Sequence, residues 1–136
     1  RANGHPALQE RVRASYPKIG TAKFAAAMTP VSIDDEAASL HFWVRHEGGG
    51  NVKMAAILLE AGEKDSYEVF MHPFDVKAEW RDVELKVSDF IYQQSKGKPN
   101  DQRLQIGKVG VIGFALFEAD KPVNLLIDDI REKLKK

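Results

Sequence analysis

The sequence predicts an all-β fold, an antiparallel β-sandwich of roughly eight strands. Three features support this prediction. Apolar residues recur with a period of two along most of the chain. Clusters of Gly, Pro, Asp and Asn separate these segments at intervals of about 8 to 12 residues. No segment has the periodicity of an amphipathic helix. We therefore expect two sheets that enclose one core.

The composition allows one domain and excludes several classes of function. With 136 residues and 43% apolar content, we expect a single domain over residues 1–136. The 20 basic and 20 acidic side chains cancel, so no net positive field attracts nucleic acid. The absence of cysteine excludes a catalytic thiol, a disulfide and a thiolate metal site. The longest apolar run, Met54 to Leu59, is far shorter than the roughly 20 residues of a membrane helix, so we expect no membrane partner.

The clearest alternating strand covers residues 40–45. Its inward set is Leu40, Phe42 and Val44, and its outward set is His41, Trp43 and Arg45. The glycine-rich segment 47–51 predicts a tight turn, and residues 52–60 predict the next strand. We expect these two strands to form a hairpin.

Four further segments are predicted as strands, namely 67–72, 80–87, 109–117 and 123–130. If the core set of the first is Tyr67, Val69 and Met71, its exposed set is Phe70 and His72. In the segment 109–117, Phe117 faces outward at the end of a trough formed by small residues. The first strands, within residues 7–28, give the weakest signal. Residues 93–105 predict a surface loop, and residues 131–136 a short helix or a frayed end.

Residues 38–131 also carry a series of short motifs in a definite order. These are Leu40-His41-Phe42-Trp43-Val44, Trp80-Arg81-Asp82-Val83-Glu84-Leu85, Ser88-Asp89-Phe90, Gly97-Lys98-Pro99-Asn100-Asp101, Val109-Gly110-Val111-Ile112-Gly113-Phe114 and Ile127-Asp128-Asp129-Ile130. Together they resemble the galactose-binding-like jelly rolls, specifically the carbohydrate-binding modules appended to plant-polysaccharide hydrolases. The domain of the complex I intermediate-associated protein family has a similar pattern.

The resemblance implies a jelly-roll module without catalytic activity, linked to the catalytic domain of a larger, secreted polypeptide. Its expected ligand is a plant-type polysaccharide such as a β-glucan. In many of these modules an aspartate at the end of the last strand coordinates a structural calcium ion with an acidic residue of the first strand. Asp128 occupies the matching position, and Glu10 is its candidate partner. Calcium needs six to eight oxygen ligands, more than these two residues supply. The alternative is that Asp128 and Asp129 form a solvated carboxylate pair at the end of the strand.

The outward face around Trp43 is the predicted carbohydrate site. The apolar C–H face of a sugar ring stacks on an aromatic ring, while its hydroxyl groups need hydrogen-bond donors and acceptors. Trp43 supplies the ring, and His41 and Arg45 supply the polar groups. The complete set of candidate residues is His41, Trp43, Arg45, Phe70, His72, Trp80 and Phe117.

Each aromatic candidate also has a purely structural interpretation. Trp43 would pack beneath a loop or against Ala55 and Ala56 of the expected hairpin partner, and Trp80 would cover the edge of the core. Phe70 would be tucked into the fold, and a loop would cover Phe117.

Two other functions stay open at this stage. The sandwich would present a face to a protein partner, as in the complex I assembly factor relatives, because a fold does not fix a function. A small glycan-active enzyme is the second alternative, since catalytic carboxylates can meet in three dimensions without a sequence motif. The sequence contains no His-Glu-x-x-His helix motif, no G-x-S-x-G elbow and no phosphate-binding glycine loop.

Overall fold

The computed structural model describes residues 12–16, 25–48, 52–97, 101–119 and 123–135. Within these ranges the chain forms nine strands, which are β1 (Val12–Tyr16), β2 (Ala25–Pro30), β3 (Ala37–Gly48), β4 (Val52–Ala61), β5 (Tyr67–Asp75), β6 (Arg81–Lys86), β7 (Ile91–Lys96), β8 (Val109–Ala119) and β9 (Val123–Leu134). Two short 3₁₀ turns cover Val87–Asp89 and Ile106–Lys108. The predicted all-β fold is confirmed. In the part of the chain described, no helix is long and apolar enough to cross a membrane.

The strands form two antiparallel sheets. The four-stranded sheet has the order β1-β9-β3-β6, and the five-stranded sheet has the order β2-β8-β4-β5-β7. Most neighbouring strands lie far apart in the sequence, so the sheets bring distant residues together. The strand β6, which begins directly after Trp80, lies at an edge of the four-stranded sheet.

The prediction that the strands on either side of the glycine-rich segment 47–51 pair as a hairpin is wrong. β3 pairs with β6 and β9, whereas β4 pairs with β5 and β8 in the other sheet. Gly48 ends β3 with a φ of 78°, a conformation that glycine adopts without a Cβ clash. The chain crosses from one sheet to the other in this region. Turn chemistry predicts a reversal, but it does not determine which strand supplies the pairing partner.

The core between the sheets is organised around Phe42 of β3. Its ring lies edge-to-face against Phe74 of β5 and Phe114 of β8, with centroid distances of 5.3 Å and 5.2 Å. Such pairs contribute about 0.5–1.5 kcal/mol each beyond the burial of their area. The aliphatic part of the core includes Leu40, Val44, Met54, Leu58, Ile112, Leu116, Leu125, Ile127 and Ile130.

The facing of β5 that would expose Phe70 is wrong, and the structural alternative, in which Phe70 is tucked into the fold, is correct. Phe70 is buried in the core and packs edge-to-face on Tyr92, with 5.8 Å between the ring centroids. Tyr67, Val69 and Met71, the expected core set, are only half-buried. Both alternating sets of this strand contain apolar residues, so the period of two does not decide which one packs inward.

Two segments predicted as irregular contain strands. β7 covers part of the predicted loop 93–105 and pairs with β5, and β9 continues through the predicted tail to Leu134 beside β3. Both segments are rich in polar residues, which lowers their intrinsic strand propensity. Backbone pairing with a neighbouring strand overrides that propensity.

Replacing the central aromatic residue tests the packing of the core. Phe42→Ala should lower the free energy of unfolding by about 3–5 kcal/mol, because it removes the ring by which the four-stranded sheet packs on Phe74 and Phe114 of the five-stranded sheet. Urea denaturation measures this change. The control is Ile91→Ala, at a residue 59% exposed, where we expect a loss below about 1 kcal/mol. Equal losses in the two variants would contradict the central role of Phe42.

Candidate functional site

The outer face of the four-stranded sheet brings four predicted site residues together. His41, Trp43 and Arg45 alternate along β3 away from the core, and Trp80 lies beside Arg45. Trp43 is 39% exposed and Trp80 is 44% exposed. The guanidinium carbon of Arg45 lies 6.0 Å from the centroid of the Trp80 ring, at the limit of a cation–π interaction. We call the surface defined by these four residues the Trp43 face.

The structural alternative that paired Trp43 with Ala55 and Ala56 does not apply. Both alanines belong to β4, which lies in the five-stranded sheet. In register, Trp43 lies between Asp82 of β6 and Asp128 of β9. Directly paired residues share one face of a sheet, so the indole ring has carboxylate side chains on both sides.

Arg131 adds a guanidinium group to the same face. Its Nη2 donates a hydrogen bond to Oδ2 of Asp82 at 2.7 Å, and its Nη1 donates to the backbone carbonyl of Asp129 at 3.1 Å. The ion pair with Asp82 joins β9 to β6 across β3. Sequence reasoning missed Arg131 and Asp82 as site residues, because their positions relative to Trp43 depend on strand pairing between distant segments.

A β-bulge in β9 allows Asp128 and Arg131 to face the same way. In a regular strand, residues three apart point to opposite faces. Here the register shifts between the pair Trp43–Asp128 and the pair His41–Arg131, and Asp129 adopts a left-handed φ of 54°. Its N–H donates to Oδ1 of Asp128 at 2.9 Å. The bulge therefore turns Arg131 toward the Trp43 face.

Hydrogen bonds to two backbone carbonyl groups position Trp80. Nε of Arg45 donates to the carbonyl oxygen of Ala78 at 3.0 Å, and the N–H of His46 donates to the carbonyl oxygen of Lys77 at 2.9 Å. These two bonds hold the segment before β6 against β3. Arg45 also lies 3.6 Å from a carboxylate oxygen of Glu47, so its charge is partly balanced.

The surroundings of His41 favour the neutral form of its imidazole. Burial lowers the pKa of His41 below its ordinary 6.5; the charges of Arg131 and Lys133 act in the same direction, while Glu84 and Asp82 oppose it. Its Nε2 lies 3.0 Å from Oγ of Ser39 and 3.6 Å from a carboxylate oxygen of Glu84. A neutral imidazole has one donor and one acceptor nitrogen.

The other three candidates for sugar contact lie away from the Trp43 face. Phe70 is a core residue. His72 is half-buried, with its ring centroid 5.3 Å from that of Phe90 and its Nδ1 2.7 Å from the carbonyl oxygen of Pro73. Phe117 is exposed and faces outward as predicted, but on the five-stranded sheet.

The outer face of the five-stranded sheet has a different chemistry. One row of paired residues crosses all five strands and consists of Met28, Gly113, Ile57, Met71 and Ile91. Met28 and Ile91 are exposed. Because this row contains no side chain that forms strong hydrogen bonds, it matches a polyhydroxylated ligand less well than the Trp43 face does.

The predicted calcium site at Asp128 and Glu10 stays a prediction. Glu10 lies outside the described residues, and Asp128 is half-buried. Among the residues that the structure covers, Asp128 belongs to no group of three carboxylate or imidazole ligands close enough to share a metal ion.

Comparison with known proteins supports the architecture. No protein-family model matches the chain, and no curated protein matches it. Among solved structures, it is similar to the family 11 carbohydrate-binding module of the cellulosomal cellulase Lic26A-Cel5E of Clostridium thermocellum, with a TM-score of 0.63 and 13% identity over 98% of this chain and 92% of that chain. The chain has the jelly-roll fold of these modules.

Two further solved structures agree with this fold. A family 11 module from Clostridium thermocellum in complex with a β-1,3-1,4-mixed-linked tetrasaccharide gives a TM-score of 0.63 and 13% identity, covering 98% of this chain and 95% of that chain. The solution structure of CtCBM11 gives a TM-score of 0.66 and 13% identity, covering 91% of this chain and 89% of that chain. The predicted jelly roll is confirmed.

The environment of His41 predicts a pH dependence of stability. Because the pKa of His41 is lower in the folded than in the unfolded state, the unfolded state binds more protons as the pH falls below about 6.5. The stability contribution is complete above that pH and is lost in the window below it. Between about pH 7.5 and pH 5, wild type should therefore lose more unfolding free energy than His41→Gln does. Urea denaturation at both pH values measures this difference, and an identical loss would contradict the assignment.

Proposed function

We propose that the protein is a non-catalytic carbohydrate-binding module that holds a plant-type polysaccharide, such as a β-glucan, on the Trp43 face. The exposed ring of Trp43 among donors and acceptors of both charge signs is the observation that carries this proposal. The shared jelly roll adds support, since one of the similar modules was solved with a bound mixed-linked tetrasaccharide.

The chemistry of the face matches a neutral sugar chain. The ring of Trp43 offers a flat apolar surface to the C–H groups of a pyranose ring. Arg131 and neutral His41 offer donors for hydroxyl groups, and Asp82 and Glu84 offer acceptors. Because basic and acidic groups alternate across the strands, the face has no field of one sign that would select a polyanion.

The two tryptophans suit a ligand with several sugar rings. Trp43 lies on the inner strand β3, and Trp80 directly precedes the adjacent edge strand β6. Their rings would contact different sugar units of one chain. An open surface buries only one side of the ligand, so we expect weak affinity for each module.

The proposal includes the setting in which the module acts. We place it beside the catalytic domain of a larger extracellular polypeptide, where it keeps that domain close to its polysaccharide. The similar module from Clostridium thermocellum belongs to a cellulosomal cellulase, which supports this arrangement.

Removing the stacking ring tests the proposed site. In affinity electrophoresis against soluble glucans, xylans and mannans, wild type should be retarded by at least one polysaccharide. Trp43→Ala should weaken that binding by about tenfold or more, the equivalent of about 1.4 kcal/mol, because it removes the ring on which the sugar stacks.

The matched control is Phe117→Ala, which removes an exposed aromatic ring from the other sheet and should leave retardation unchanged. Circular dichroism confirms that each variant is folded. If no polysaccharide retards wild type, the carbohydrate proposal is wrong. If only Phe117→Ala loses binding, the ligand binds the five-stranded sheet instead.

A further inference from the structure

Three carboxylates from three different segments meet at one end of the five-stranded sheet. Glu60 lies near the end of β4, Glu68 is its direct partner near the start of β5, and Asp101 lies in the segment that leads to β8. One carboxylate oxygen of each residue lies within 4.8 Å of the others. We call this group the acidic cluster. It shares no residue with the Trp43 face.

The two glutamates of the acidic cluster are deeply buried. Glu60 and Glu68 are each 1% exposed, whereas Asp101 is exposed and opens the cluster to solvent. A buried charge is costly unless hydrogen bonds or an opposite charge compensate it. Burial raises the pKa of both Glu60 and Glu68. The charge of Lys108 opposes this rise at Glu60.

The backbone of the segment 101–105 donates a hydrogen bond to one oxygen of each carboxylate. The N–H of Gln105 donates to Oε1 of Glu60, and the N–H of Gln102 donates to Oε2 of Glu68 at 2.7 Å. The N–H of Arg103 donates to Oδ1 of Asp101 at 3.0 Å. The segment therefore closes over the two glutamates and brings the third carboxylate to them.

One buried oxygen of the acidic cluster has no hydrogen-bond donor. Oε1 of Glu68 is buried, and no described residue donates a hydrogen bond to it. A buried carboxylate oxygen left in this state costs free energy. The two neighbouring carboxylates cannot help when ionised, because they are acceptors only. A bound cation, or a proton shared between the carboxylates, would compensate this oxygen.

We propose that the acidic cluster binds a calcium ion. Calcium is a hard cation that takes six to eight oxygen ligands from carboxylates, carbonyl groups and water. The acidic cluster supplies at least one oxygen from each of three carboxylates, and water completes the shell from the open side at Asp101. The site would tie the β4–β5 pair to the segment 101–105. It is separate from the predicted site at Asp128, which lies in the four-stranded sheet.

Thermal unfolding of the full chain at about pH 7.5 tests this site, with either EDTA or CaCl₂ present. Calcium should raise the Tm of wild type by about 5 °C or more when it is well above its Kd. Glu68→Gln should lose this response. Its Tm in EDTA should exceed that of wild type, because the amide removes a buried charge and donates hydrogen bonds to its neighbours.

Two variants at exposed positions keep the test independent of folding defects in the core. Asp101→Asn should weaken calcium binding by about tenfold, measured by isothermal titration calorimetry. Glu63→Gln, which removes an exposed charge from the β4–β5 turn, is the matched control and should respond like wild type.

Two outcomes would overturn the proposal. One outcome is that CaCl₂ leaves the Tm of wild type unchanged and gives no binding heat in isothermal titration calorimetry. The buried carboxylate oxygens are then compensated by a shared proton and not by calcium. If Glu68→Gln keeps the full calcium response and Asp128→Asn loses it, the ion binds in the four-stranded sheet. Neither outcome depends on carbohydrate binding.

Discussion

Phe42 projects into the core between Phe74 and Phe114, and this contact determines which side of β3 meets solvent. Side chains alternate along a strand, so the burial of Phe42 turns His41 and Trp43 outward. A register shift of one residue would bury the indole ring and expose the phenyl ring. The loss of the two aromatic contacts with the five-stranded sheet opposes that shift. The proposed binding face is therefore a consequence of how the core packs.

The packed core must also leave room for polar groups on both sheets. On the four-stranded sheet the bulge at Asp129 keeps Ile127 and Ile130 in the core while Asp128 and Arg131 stay on the side of Trp43. On the five-stranded sheet, two glutamates are buried at the end of the β4–β5 pair, where backbone N–H groups of residues 102 and 105 reach them. A β-bulge and an irregular segment of backbone thus place side chains and N–H groups where regular strands could not place them.

The sequence predicted the parts of the fold that depend on local alternation. The all-β class, the outward facing of Trp43 and the facing of β8 follow directly from a period of two. Other features depend on pairing between distant segments. The crossover after β3, the strand β7 and the approach of Arg131 to Asp82 belong to this group. Phe70 shows a third limit, because on β5 both sets of side chains are apolar and only the completed core selects one.

Amide and indole chemical shifts in a ¹H–¹⁵N NMR titration with a β-1,3-1,4-mixed-linked oligosaccharide test the central claim most directly. The chain has two tryptophans and so gives two indole N–H signals. We predict that the signal of Trp43 shifts most, together with the signal of Trp80 and with amides of β3, β6 and β9. Shifts confined to amides of β4, β5 and β8, with both indole signals unchanged, would contradict binding on the Trp43 face.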